Sequence, residues 1–250
     1  MAELTILAVH GNGGGAFRFD RLHGHVPADV ELLAIDLPGF GGRPLPERPA
    51  TMETLAGALS DEVAAVDGPV VVLGHGIGGS IALSALQGRD DVAGLILHAP
   101  VAARLEQRWF PRLMRPAPVR AAVQWAISSL PARLLGRFVL FRRGDVPRSY
   151  VDRFLREYRR TEAFADMFDL LTAEWFESLE PLATPTVILW GEHDRVLGAD
   201  QADELLRLVP GADVEHVAGW GHFPMVEQPE DYLDRVVELA RGLLPTGTGG

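Results

Sequence analysis

The chain has 250 residues, of which 47% are apolar and none is cysteine, and a formal charge of −11. That length suits one large α/β core without a second full domain, and the absent cysteines exclude disulfides, thiol nucleophiles and thiolate metal sites, in keeping with a reducing compartment. No stretch approaches about 18 uninterrupted apolar residues, and the start, MAELTILAVHG, has no basic segment ahead of its apolar run. A soluble cytoplasmic protein with no membrane partner is therefore expected.

In chain order, short apolar runs alternate with helical patterns. LTILAV (4–9), ELLAI (31–35), VVVL (70–73), GLILH (94–98), TVILW (186–190) and ADVEHV (212–217) read as strands, and helices are predicted over 52–66, 77–86, 199–208 and 229–243. Strands separated by helices imply a mostly parallel sheet of about six strands, covered on both faces. Residues 101–178 break this rhythm. Prolines at 111, 116, 118, 131 and 147 divide them into candidate helices around 104–113, 117–128, 131–140, 147–158 and 161–168. They are expected to form a helical cap inserted in a core of 1–100 and 179–245, and the tail 246–250 is expected to be disordered.

Charge separates the same two parts. All 23 basic residues are arginine, and 14 of them lie between 101 and 160 against four acids, so this segment carries +10 and the rest −21. An acidic body argues against a nucleic-acid partner, while a basic insert suits an anionic substrate or simply a solvated helix face. Arg104, Arg108 and Arg112 recur at four-residue spacing, and Trp109 and Trp125 are further candidates for substrate contact in a cap whose aromatic residues otherwise pack.

Three segments could carry chemistry. GHGIGG (74–79) joins a strand to a helix, placing Gly76 at the apex of a tight turn and aiming the Ile77 amide into a cleft at the strands' carboxyl ends. Gly74, Gly76 and Gly79 also satisfy the G-x-G-x-x-G spacing of dinucleotide loops, but no acid follows about 20 residues on; position 98 is His98. HGNGGG (10–15) follows the first strand and could supply a second amide donor to the same cleft. WGEHDRV puts Asp194 after one strand and GWGHFP puts His222 after the next, where a carboxylate and an imidazole can pair. No metal-ligand spacing or cofactor motif emerges, so neither a metal nor a cofactor is expected.

Taken together, His10-Gly11, Asp36 to Gly41 (DLPGFG), Gly74 to Gly79, Gly191 to Arg195 (GEHDR) and Gly221 to Pro224 (GHFP) resemble the α/β-hydrolase superfamily, in its cap-bearing esterase-like branch, over nearly the whole chain. The resemblance implies that Gly76 stands at the nucleophile position, Asp194 is the triad acid, His222 the base, and Asn12 and Ile77 supply the oxyanion-hole amides. It also implies that two leading antiparallel strands are missing, because LTILAV matches the family's third strand. A serine hydrolase would attack through position 76, yet glycine has no atom to offer. Ser80 and Ser84 lie further along the helix, His75 is expected to point away from the apex, and Asp36 and His98 to pack. Three readings stay open: a Ser-to-Gly form of a hydrolase of small esters, thioesters or lactones; a natural enzyme using the His222–Asp194 dyad as a base for water activation, lyase or cofactor-free oxygenase chemistry; and a non-catalytic binding protein. The substrate is expected to be a small molecule, partly apolar and possibly anionic.

Overall fold

The computed structural model describes residues 2–102, 109–127, 129, 131, 141 and 146–245. Six strands, β1 (Leu4–Val9), β2 (Val30–Ile35), β3 (Val70–His75), β4 (Gly94–His98), β5 (Thr186–Gly191) and β6 (Asp213–Val217), form one sheet in the order β2-β1-β3-β4-β5-β6. Every pairing is parallel. The four inner strands are buried at every position, as their unbroken apolar runs require, whereas edge strands β2 and β6 include exposed residues.

Side chains alternate between two cores. On one face Leu7, Val9, Val70 and Val72 meet α1 (Met52–Ala64) and α2 (Ile77–Ala85). Leu55, Leu59 and Val63 recur every four residues along α1, and Thr51 caps that helix by accepting from the Thr54 amide at 3.1 Å. On the other face Leu4, Ile6, Ala8, Val71 and Leu73 meet a 3-10 segment, Ala16–His25, and the C-terminal helix Pro229–Leu243, whose Tyr232, Leu233, Val236, Val237 and Ala240 form its buried stripe.

Helices fill the described part of the connection from β4 to β5: α3 (Trp109–Leu113), α4 (Ala117–Ile127), α5 (Arg148–Arg160), α6 (Met167–Leu170) and α7 (Ala173–Glu177). This is the helical cap. The predicted helix over 131–140, all but its first residue, and the tail 246–250 lie outside the described residues. α5 lays Val151, Phe154 and Leu155 onto the second core, and the Tyr150 hydroxyl donates to the Phe17 carbonyl at 3.2 Å.

Two predicted helices are corrected. Residues 161–166 are an extended residue and turns leading into the one-turn α6, because the Glu162 and Ala163 amides bond the Gly39 carbonyl (2.8 and 3.3 Å) and Asp166 accepts from the Ala50 amide (2.8 Å). Tertiary partners have displaced the helical ones there. The span 199–208 becomes a 3-10 turn, Ala199–Gln201, and a short α8 (Ala202–Leu205). Gln201 turns inward to accept from the Ala102 amide at 3.2 Å, and the Leu208 carbonyl is taken by the Leu182 amide at 2.7 Å.

Candidate active site

The carboxyl ends of the inner strands converge where the chain order reverses, between β1 and β3, the usual crevice of an open parallel sheet. At the apex between β3 and α2, Gly76 has φ 56° and ψ −123°, a left-handed conformation costly for a residue with a Cβ. Its neighbourhood is nevertheless open. A Cβ built on Gly76 would meet only the Gly11 Cα, at an ordinary 3.5 Å, whereas one on Gly78 would lie 2.6 Å from the Val9 and His10 carbonyl oxygens. Gly78 is therefore required by packing, and Gly76 by backbone angle alone.

His222 lies on the loop after β6. Its Nδ1 is 2.7 Å from Asp194 Oδ2, and the two side chains are 8% and 1% exposed. The other Asp194 oxygen accepts from the Val196 and Leu197 amides at 2.8 and 2.9 Å, which fixes the carboxylate. Burial pushes the Asp194 carboxyl up, but the His222 ring's charge and hydrogen bond, with the two amides, outweigh it and hold the group below its ordinary value. The Nε2 of His222 bonds no described residue.

His75, expected to point away from the apex, stacks on His222 with ring centroids 4.7 Å apart, and its Nε2 bonds the His222 carbonyl at 3.0 Å. His98 stacks behind it at 4.9 Å and reaches the Tyr232 hydroxyl through Nδ1 at 3.1 Å. Burial, with the charge of His222 and other neighbours, drives His75 well below its ordinary value and His98 to about 3, and burial takes His10 to about 4. All three are neutral at neutral pH.

On the loop after β1, Asn12 Oδ1 accepts from the Gly13 amide at 2.9 Å and Nδ2 donates to the Phe164 carbonyl at 3.3 Å. The Asn12 and Ile77 amides have no acceptor among the described residues, Ile77 because it opens α2. Ser80 is committed to the Val101 carbonyl at 2.7 Å, and Ser84 accepts from Trp175 Nε1 at 3.2 Å, so neither hydroxyl is free at the elbow. Asp36 accepts from the Ala16 amide at 2.6 Å, a structural role. In the cap, Arg112 is exposed and Trp125 is 64% exposed; Arg108 lies outside the described residues. Sequence reading missed Arg18, which is 1% exposed beside Asn12. Among the described residues no group of three or more His, Cys, Asp or Glu side chains could hold a metal, and no helix is long and apolar enough to cross a membrane.

Sheet order, helical cap, elbow and Asp–His pair define the α/β-hydrolase class. Residues 6–235 match the model of the alpha/beta hydrolase family, and the chain belongs to that family. It is 27% identical over 265 residues to a pimeloyl-[acyl-carrier protein] methyl ester esterase of Aromatoleum aromaticum, covering 97% of this chain and 100% of that one. Its fold is also that of a thermophilic esterase from Thermogutta terrifontis (TM-score 0.71, 21% identity, 98% and 92% of the two chains) and of the epoxide hydrolase CorEH (TM-score 0.79, 17% identity, 97% and 93%). Ester and epoxide opening share this architecture, so the site must decide the reaction.

Proposed function

We propose that this chain is a scaffold for hydrolysis of small carboxylic esters, thioesters or lactones, with His222 as base, Asp194 as its orienting acid, the Asn12 and Ile77 amides as oxyanion donors, and Gly76 where a nucleophilic serine would stand. The observation that carries the reading is the 2.7 Å His222–Asp194 contact with Asp194 buried and doubly held by backbone amides, beside an elbow where a Cβ finds room. A pure binding protein has no chemical need for such an oriented imidazole. The esterase activity of the Aromatoleum relative supports the ester class. In this reading a serine at position 76 would lose its proton to His222 and attack the ester carbonyl, and the amides would hold the resulting oxyanion. With glycine no acyl-enzyme forms, so serine-type turnover is abolished.

A second reading rests on φ 56° at Gly76, which suits glycine as the native residue. The dyad then activates a water held in the space a side chain would fill. Turnover of aryl esters, thioesters and lactones by the chain and by Gly76→Ser separates the two. The first reading expects hydrolysis to appear with serine; loss of an activity already present in the glycine form would favour the second.

A further inference from the structure

Two arginines are buried among the described residues, and they are held differently. Arg120, in α4, is clasped by both oxygens of Asp169 (2.5 and 2.8 Å) and by the Ala165 and Arg115 carbonyls. Arg18, 1% exposed, meets no carboxylate among the described residues. Its one acceptor among them is the Asn12 carbonyl, 3.4 Å from Nη2, and its Nε, like that of Arg120, is buried with no partner. A guanidinium carries five N–H donors, and a buried one left unmet is costly. Asp20, the acid nearest in sequence, is drawn away to the surface by Arg153 at 2.6 Å.

Aromatic rings surround the guanidinium instead. Its carbon lies 3.8 Å from the centre of the Phe154 ring, 4.9 Å from Phe223, 5.5 Å from Tyr158 and 5.7 Å from Phe17. These rings place it beside the site: Phe223 follows His222 and packs on it at 4.6 Å, and Tyr158 lies against Gly13 so closely that a Cβ there would come within 2.2 Å. Its charge also contributes to the depressed basicity of His10 and His75. Ring stacking alone would rivet the cap to the core, but it supplies no acceptor for the N–H groups, which lie in the plane of the guanidinium.

We propose that Arg18 receives a second, ionised carboxylate of the substrate, making the preferred ester one that carries a free carboxylate at a short distance, such as the half-ester of a dicarboxylic acid. The proposal rests on the ester-cleft reading above. Asn12 would then serve both ends of the ligand, its amide toward the ester oxygen and its carbonyl sharing Arg18 with the carboxylate. Tyr158, half-buried on α5 against the Gly13 loop, is the ring that would have to turn aside to admit the ligand. Two carboxylate oxygens along one edge, in the plane of the guanidinium, match its fork, and the aromatic wall excludes competing water.

Because Gly76 prevents acylation, binding can be titrated calorimetrically with the chain as it stands. The probes are monomethyl adipate, an anion at neutral pH, and the neutral dimethyl adipate. The native chain is expected to prefer the half-ester by about tenfold or more. Arg18→Met, with its fold checked by thermal melting, should lose that preference while keeping affinity for the diester. If Arg18→Met does not fold, Arg18→Lys, which keeps the charge but not the fork, should show a reduced preference. Equal binding of both probes by the native chain, or a preference unchanged in either variant, overturns the role of Arg18 and leaves the ester cleft intact. Binding of neither probe overturns the cleft reading as well.

Discussion

Asp194 divides its two oxygens between the backbone and an imidazole. Its Oδ1 ties down the turn after β5 through the Val196 and Leu197 amides, leaving Oδ2 to hold His222 Nδ1 in the tautomer that frees Nε2. Asparagine would keep an oxygen for the two amides but turn an NH2 group toward Nδ1, forcing the other tautomer. In the Gly76→Ser background, Asp194→Asn should therefore lower kcat by roughly 10³- to 10⁴-fold, with little change in KM or thermal midpoint. Steady-state kinetics beside a melting curve would check it; an equal loss in KM or a collapsed fold would make Asp194 a packing residue. This pairing was legible in the sequence because both residues follow strand-like runs at the sheet's carboxyl end. Arg18 was not: in AFRFDRL nothing distinguishes a buried arginine from a solvated one, since its burial depends on α5 arriving from residues 148–160.

At the scale of the element, the β3–α2 turn combines two kinds of glycine with different costs of replacement. Gly78→Ala drives a Cβ to 2.6 Å from the Val9 and His10 carbonyls at the end of β1, an overpacking of about 3 kcal/mol against rigid backbone. Gly76→Ala meets only a 3.5 Å contact, so its cost is the left-handed angle alone, about 1–2 kcal/mol. Urea unfolding of the two variants should rank them in that order, and a reversed ranking would mean that the elbow relaxes differently from this geometry. The inner strands could be read from sequence because burial on both faces leaves an unbroken apolar run bounded by turn residues. The helices expected over 161–168 and 199–208 could not, since polar groups there are claimed by Gly39 and Ala50, more than a hundred residues away, and by Leu182, on the far side of β5. Local periodicity has no access to such competition.

For the molecule as a whole, the buried imidazoles link stability to pH. His10 and His98 have folded-state values near 4 and 3, and His75 is depressed in the same direction, while in the unfolded chain all three take up protons near 6.5. The unfolded state therefore binds more protons below that value. Stability should be full above about pH 6.5 and fall with acidification through the interval down to the folded values, by up to about 1.4 kcal/mol per pH unit for each imidazole. Denaturant titrations from about pH 7.5 to 4.5 would show a decline beginning near 6.5; a flat profile down to about pH 5 would contradict burial of these rings as neutral groups. The central claim, that acid, base and oxyanion donors already surround an elbow lacking only its hydroxyl, is tested most directly by intact-protein mass after treatment with a serine-directed phosphonate. Folded Gly76→Ser should gain one phosphonyl group, mapped to position 76, and the glycine chain none. A folded serine variant that stays unlabelled would contradict the account.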